Sequence, residues 1–173
     1  MTFRLAFGRP PAVAGDAMVA TSQPLATRAG LRALERGGNA ADAALAAAAV
    51  LSVTEPMSSG VGGDAFALVW NDGEIEGLDA AGPAPAGADE LEPVERGPRS
   101  VTVPGAVGGW AALSARYGRL GLDACLADAI DVAERGFVVT PRTAASWAAA
   151  ARAASAAFPP RSSMRSPARV ARG

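Results

Sequence analysis

The side chains that could form a covalent intermediate in this chain are hydroxyls and one thiol. Removal of Met1 would expose Thr2, whose free α-amine could act as its own base. Thr2 precedes Phe-Arg-Leu and then prolines, whereas such a nucleophile needs a buried strand to hold it. Thr54 and Thr102 are internal, and the sequence has no histidine to activate them. We therefore expect no catalytic residue among the threonines.

A glycine-dense stretch, Ser58-Ser59-Gly60-Val61-Gly62-Gly63, is the next candidate. A phosphate loop would be followed by lysine and a helix, but here no lysine follows and a strand is predicted next. A nucleophile elbow lies at a strand-to-helix turn, and this stretch connects a helix to a strand instead. The pattern therefore predicts a tight turn without phosphate or acyl chemistry.

The single cysteine, Cys125, excludes an internal disulfide and a multi-cysteine metal site. Its spacing is that of a helix stripe facing a core, formed by Leu122, Cys125, Leu126, Ala129, Ile130 and Ala133. We expect a packed thiol and no metal or organic cofactor. The net charge of −1 gives no reason to expect nucleic acid or a membrane surface as a partner.

One long alanine-rich run is the element on which the other segments must pack. Asn39 is a suitable N-cap, and Asp42 places negative charge at the positive end of the helix dipole. From Ala40 to Val53 only Asp42 is charged, so the helix should be buried on most sides. The run is shorter than the roughly 20 residues that cross a bilayer, and Pro56 ends it.

The rest of the chain alternates short strands and helices. Strands are predicted at Met18–Thr21, Asp64–Trp70, Glu74–Asp79 and Val101–Val103, and helices at Pro24 to Gly37, Pro104–Tyr117, Leu122–Arg135 and Thr143–Ala157. Asn71-Asp72-Gly73 predicts a hairpin turn between the second and third strands. The sequence thus predicts an N-terminal extension over 1–15, one α+β domain over 16–158 and a tail over 159–173.

Both ends of the chain differ from the middle in composition. The first residues are too short and too interrupted by Arg9, Pro10 and Pro11 for a secretory signal, which predicts a cytoplasmic location. The tail has four arginines, no acid and no helical period, which predicts a disordered basic tail. We prefer the interpretation that the chain is truncated and that the tail is an out-of-frame reading of GC-rich DNA, and a partner-binding tail is a third interpretation.

Four segments in order resemble the N-terminal part of the large subunit of the gamma-glutamyltransferase family. They are MVATSQPLATRAGLRALERGGNAADAALAAAAVLSVTEP, SGVGGDAFALVW, SVTVPGAVGGWAALSARYGRLGL and AIDVAERGFVV, and they lie between Met18 and Val139. Each segment alone is a weak signal. Their order and spacing together identify the family.

The resemblance implies part of an αββα N-terminal-nucleophile hydrolase sandwich, incomplete in this chain. In that family a precursor cuts itself and frees a threonine, whose hydroxyl attacks a γ-glutamyl amide and whose α-amine can act as base. The acyl-enzyme then passes to water or an amino acid, as in glutathione metabolism. The resemblance places that threonine in a small subunit that this chain lacks, so we expect the missing half as its partner and no activity from the chain alone.

One position departs from the pattern of the transferases. They carry an arginine after the hairpin that can pair with the substrate carboxylate, and Ala81 stands at that position. The intact protein is therefore expected to take an amide other than ordinary γ-glutamyl compounds, as the acylase branch of the family does. Arg96 or Arg99 is an alternative source of charge. A small non-catalytic αβ binding domain is the alternative to an enzyme fragment.

Overall fold

The computed structural model describes residues 11–88, 97 and 100–157. In chain order the elements are α1 (Pro24–Glu35), α2 (Ala40–Thr54), β1 (Ala65–Asn71), β2 (Glu74–Ala80), α3 (Ala106–Tyr117), α4 (Leu122–Arg135) and α5 (Pro141–Ala157). The predicted mixture of helices and strands is confirmed, with one two-stranded antiparallel sheet in the described ranges. The four-layer sandwich and the domain boundaries stay predictions, and the tail over 159–173 lies outside the described residues.

Four residues, Arg36-Gly37-Gly38-Asn39, join α1 to α2. Gly37 has a φ of 89°, which closes α1 in a left-handed turn that favours glycine. Its N–H donates to the carbonyl of Leu34, and the N–H of Gly38 donates to that of Ala33. Asn39 then caps α2, and the carboxylate of Asp42 accepts from the Asn39 N–H in a capping box. The turn between the two helices is therefore held by backbone and capping hydrogen bonds.

Helix α2 lies at the centre of the core, as its composition predicts. Its fully or nearly buried apolar residues are Ala41, Ala43, Leu45, Ala46, Ala47, Ala49 and Val50. Methyl side chains allow α1 and α4 to approach the backbone of α2 closely. Ala40 and Ala44 are exposed, so one stripe of the helix is open to solvent.

Asp42 is fully buried, which the sequence did not predict beyond its role at the helix start. Its carboxylate accepts from the backbone N–H groups of Asn39, Arg119 and Leu120. The thiol of Cys125 donates to Oδ1 at 3.7 Å. Burial raises the pKa of Asp42, but these hydrogen bonds outweigh it and hold the pKa below the ordinary 3.8. The buried charge thereby fixes the α3–α4 turn to α2.

The hairpin turns at Asp72 and Gly73, whose φ values of 51° and 88° are those of a tight two-residue turn. Its inner face carries Ala65, Ala67, Val69 and Leu78, which pack against the core. Its outer face carries Phe66, Leu68, Trp70 and Ile75, which are 71–81% exposed. Side chains of β1 therefore alternate between the core and an exposed apolar outer face.

Two predicted strands are wrong, since Met18–Thr21 and Val101–Val103 form no ladder with another described segment. A strand is defined by its neighbour, and the described residues provide none for either segment. Helix α3 begins at Ala106 instead of Pro104, because Pro104 and Gly105 belong to the preceding loop. Helix α5 begins at Pro141 instead of Thr143, because proline suits a first helical position. Cys125 and Ala129 are buried as predicted, whereas Ile130 and Ala133 are exposed.

Candidate functional site

The glycine-dense stretch forms an open turn at the end of α2. The carbonyl of Glu55 accepts from the N–H groups of Ser58 and Ser59, and Gly63 donates to the carbonyl of Gly60. A shallow cavity of about 430 Å³ lies over this turn between Pro56 and Asp64. Ser58 and Ser59 are exposed at a helix-to-strand turn, so they do not form a nucleophile elbow.

Asp64, immediately before β1, joins three segments at one point. Its Oδ1 accepts from the N–H of Gly82 at 3.0 Å and from the hydroxyl of Thr102 at 3.0 Å. The neighbouring carbonyl of Gly63 accepts from the N–H groups of Gly105 and Ala106 at 3.1 and 2.9 Å. We call residues 63–64, 81–83 and 102–105 the loop junction.

The backbones at the loop junction approach one another too closely for side chains. A Cβ atom on Gly82 would lie 1.3 Å from the carbonyl oxygen of Val103, and one on Gly105 would lie 2.3 Å from that of Ala80. The N–H of Val103 also donates to the carbonyl of Pro83 at 3.0 Å. The two ends of the connection between β2 and α3 are therefore fastened together beside Asp64.

Ala81 lies on the surface of this junction, with its methyl group exposed. Its N–H donates to Oδ1 of Asp79 at 2.9 Å, while the next N–H, that of Gly82, donates to Asp64. Neither carboxylate forms an ion pair with an arginine of the described ranges. Within those ranges, two carboxylates without a paired arginine therefore lie beside Ala81. Arg96 and Arg99 lie outside the described residues.

The described threonines are engaged in structural hydrogen bonds. Thr54 is buried and donates to the carbonyl of Val50 at 3.0 Å, which is a bond within α2. Thr102 donates to Asp64, a pair that lacks the α-amine or the oriented base of a known nucleophile. Thr2 lies outside the described residues. Two described hydroxyls donate to carboxylates, Thr102 to Asp64 and Ser22 to Glu55, and neither belongs to a threonine with a free α-amine.

The sequence reasoning missed Asp64 as the centre of the loop junction. The available signal was an acidic residue directly after two glycines, with glycines at 82 and 105 in later loops. It also missed the burial of Asp42, because the run around it reads as apolar. Cys125 is buried beside Asp42, and burial together with that carboxylate raises the pKa of its thiol to about 11. This thiol is therefore inert at neutral pH.

Two further features of the described ranges bear on the chemistry. Across residues 11–88, 97 and 100–157, no three His, Cys, Asp or Glu side chains lie close enough to hold a metal ion. Over the same ranges, no helix has both the length and the apolar character that crossing a bilayer requires.

Comparisons with known proteins connect these features to one family. The sequence profile described as Gamma-glutamyltranspeptidase matches residues 26–166. The "Acylase ACY 1 proenzyme" of Pseudomonas sp. (strain V22) is 41% identical over 152 residues, which are 77% of this chain and 27% of that protein. The "Glutathione hydrolase proenzyme" of Bacillus subtilis (strain 168) is 38% identical over 143 residues, which are 73% of this chain and 24% of that protein.

A solved structure shows the same relationship in three dimensions. The cephalosporin acylase from Bacillus halodurans is 44% identical, with a TM-score of 0.72 over 86% of this chain and 31% of that chain. The chain therefore spans about a quarter of the length of its curated relatives.

Proposed function

This chain belongs to the gamma-glutamyltranspeptidase family, and from that premise we propose that it is the N-terminal segment of an amide hydrolase or acyltransferase. The observation that carries the proposal is that the match to a relative covers most of this chain but only a small part of the relative. The match reaches 77% of this chain but only 27% of an acylase proenzyme. In addition, the hydroxyl–carboxylate pairs Ser22–Glu55 and Thr102–Asp64 of the described residues lack the free α-amine of the family's threonine nucleophile. The segment therefore serves as a framework, and the reacting groups belong to the remainder.

The chemistry that we propose for the intact protein is that of the resembled family. A threonine freed by precursor cleavage attacks the amide carbon through its hydroxyl, and its α-amine takes the proton. The amine of the substrate leaves, and water or an amino acid then removes the acyl group. Two relatives are named proenzymes, which supports activation by cleavage. This chain contributes the loop junction, whose fixed backbone can border the acyl group.

For the substrate, we propose an acyl group that does not depend on pairing with an arginine at position 81. Ala81 has only a methyl group, and the nearest described charges are the carboxylates of Asp64 and Asp79. A substrate carboxylate held there would meet like charge, which is unfavourable. The acylase among the similar proteins supports this choice over a γ-glutamyl compound.

For the fold, we propose that the remainder completes an αββα sandwich over the outer face of the hairpin. Phe66, Leu68, Trp70 and Ile75 lie on that face and are exposed in this chain. Contiguous apolar surface of this kind marks a site where other protein packs. The missing half of the precursor is then the partner of this chain. The cytoplasmic location stays a prediction from the sequence.

Co-expression tests the proposal directly. The chain is produced with the part of the Bacillus halodurans cephalosporin acylase that lies beyond the matched region, and the release of a chromogenic aniline from butyryl and γ-glutamyl anilides is measured. We expect no turnover from either part alone and turnover from the co-purified pair, with butyryl preferred. Turnover by the isolated chain that disappears in Thr2→Ala would contradict the proposal, because the nucleophile would then lie in this chain.

The variant Ala81→Arg tests the substrate class in the same pair. Arginine can pair with the carboxylate of the γ-glutamyl group, so kcat/KM should shift toward the γ-glutamyl anilide by about 10- to 100-fold. Ala84→Arg, at an exposed position in the same loop, is the matched control and should leave the ratio unchanged. An equal shift in both variants would show that position 81 does not face the acyl group.

A further inference from the structure

Two carboxylates hold the backbone on either side of Ala81. The N–H of Ala81 donates to Oδ1 of Asp79, only two residues earlier in the chain. The N–H of Gly82 donates to Oδ1 of Asp64, which lies 18 residues earlier. The first bond is local to the end of β2. The second bond therefore relates position 81 to the rest of the loop junction.

Asp64 also connects the end of the hairpin to the segment that leads into α3. The hydroxyl of Thr102 donates to the same oxygen, Oδ1, at 3.0 Å. The backbones of the two segments are already in contact, because a Cβ atom on Gly82 would lie 1.3 Å from the carbonyl oxygen of Val103. Contact sets how closely the segments approach. A directional hydrogen bond also sets how the peptide group between residues 81 and 82 is turned.

The hydrogen bonds of Asp64 can be separated from its charge. Both go to Oδ1, and no described residue donates to Oδ2. An asparagine amide has one acceptor oxygen and an NH₂ group in place of the second oxygen. Asp64→Asn can therefore keep both hydrogen bonds and remove the charge, whereas Asp64→Ala removes the bonds and the charge. Asp64 is exposed, and the bond from Val103 to Pro83 does not involve it, so the chain should still fold.

We propose that Asp64 is a positioning residue for position 81. By accepting from Gly82 and Thr102, its carboxylate sets the direction in which the side chain at position 81 points. The inference rests on the proposed function, in which position 81 faces the acyl group. Asp64 acts in this role through the backbone, without contact to the substrate. Its removal should therefore change the selection between acyl groups that a side chain at position 81 makes.

A double-mutant cycle in the pair with the remainder of the Bacillus halodurans acylase tests the inference. Ala81→Arg is made alone and with Asp64→Ala or Asp64→Asn, and kcat/KM for the γ-glutamyl anilide is divided by that for the butyryl anilide. Alone, Ala81→Arg should raise this ratio about 10- to 100-fold. The gain should fall below about threefold with Asp64→Ala and persist with Asp64→Asn. Asp123→Ala, which removes an exposed carboxylate on α4, is the matched control and should leave the gain unchanged.

Hydrogen exchange on the full chain without the remainder tests the contact independently of activity. The amide of Gly82 should exchange at least about tenfold faster in Asp64→Ala than in the wild type. Its rate in Asp64→Asn should stay close to that of the wild type, because the amide oxygen can still accept. Equal rates in Asp64→Ala and the wild type would overturn the inference.

The outcomes of the cycle separate the inference from the proposed function. A full gain from Ala81→Arg in the presence of Asp64→Ala overturns the inference and leaves the proposed function intact. Loss of the gain with Asp64→Asn as well would assign the effect to charge, which also overturns the inference. An inactive wild-type pair contradicts the proposed function and, with it, the role of Asp64 at position 81.

Discussion

Oδ2 of Asp42 accepts a hydrogen bond from the backbone N–H of Arg119 at 2.9 Å, between residues 77 positions apart. The bond joins the start of α2 to the turn between α3 and α4. The carboxylate is fully buried, and its oxygen atoms accept hydrogen bonds from backbone N–H groups. These hydrogen bonds exist only in the folded chain, so only the folded state stabilises the charge in this way.

Asp42→Asn should destabilise the chain by about 1–3 kcal/mol at pH 7, because an amide offers one acceptor oxygen where the carboxylate offers two. Chemical denaturation followed by circular dichroism measures the change. Asp131→Asn, which removes an exposed ion pair with Arg135, is the control and should cost less than about 1 kcal/mol. Equal effects of the two substitutions would show that the buried contacts add nothing.

The same carboxylate gives a definite dependence of stability on pH. Since the pKa of Asp42 is lowered on folding, its contribution is present above the ordinary value of 3.8 and is lost as pH falls through the folded value. We expect the free-energy difference between wild type and Asp42→Asn to shrink when denaturation is measured below that range. A difference that stays constant from pH 7 to pH 2 would contradict the lowered pKa.

Cys125 should resist alkylation in the folded chain. With a pKa of about 11 instead of 9.0, its thiolate fraction at pH 8 is about 100-fold smaller than in the unfolded chain, and the thiol is also inaccessible. Labelling with iodoacetamide should therefore be at least about 100-fold slower than in denaturant. Because folding raises the pKa of the Cys125 thiol, the contribution of the protonated thiol to the free energy of unfolding is complete below pH 9 and is lost as pH rises toward about 11. Rapid labelling under native conditions would show that α4 does not pack on α2.

Two neighbouring glycines in α3 should respond oppositely to alanine. A Cβ atom on Gly109 would lie 2.5 Å from Cβ of Ala80, so Gly109→Ala should separate α3 from the hairpin and destabilise by about 1–3 kcal/mol. Gly108 has open space around it, so Gly108→Ala should stabilise by about 0.5–1 kcal/mol through helix propensity. Thermal melts of both variants measure the signs. Two stabilised variants would mean that α3 does not contact the hairpin.

The outer face of the hairpin should bind a hydrophobic dye. Leu68 is 81% exposed between Phe66 and Trp70, so Leu68→Lys should reduce dye fluorescence and self-association with little change in melting temperature. Ala127→Lys introduces the same charge on α4 and should leave the dye signal unchanged. A lower melting temperature in Leu68→Lys would show that this face is buried in solution.

The elements that could be predicted from the sequence are those specified by local chemistry. The helix caps at Asn39 and Gly37 and the turn at Asp72-Gly73 follow from side-chain hydrogen bonds and left-handed backbone angles, and all three are present. The strand at Met18–Thr21 could not be decided in this way, because pairing depends on a neighbour distant in sequence or absent from it. Ile130 was predicted to face the core and is exposed, for a related reason. The spacing of apolar residues on a helix does not show how far the neighbouring element extends along it.

The candidate site was predictable only as a departure from a family pattern. Ala81 has no chemical signal of its own, and its negative surroundings depend on Asp64 and Asp79 meeting at the loop junction. Asp64 lies 18 residues from Gly82 and 38 from Thr102, and such distant hydrogen bonds have no local sequence signature. The burial of Asp42 was equally hidden, because its donors come from residues 119 and 120.

The bond from the N–H of Val103 to the carbonyl of Pro83 has a consequence for how this region can vary and be engineered. It fastens the two ends of the connection between β2 and α3, so the geometry beside Asp64 does not depend on how much chain lies between them. Each doubling of a flexible loop costs only about 0.6 kcal/mol in closure entropy. Homologues can therefore differ in length between positions 83 and 103, and an epitope tag inserted there should leave the junction assembled.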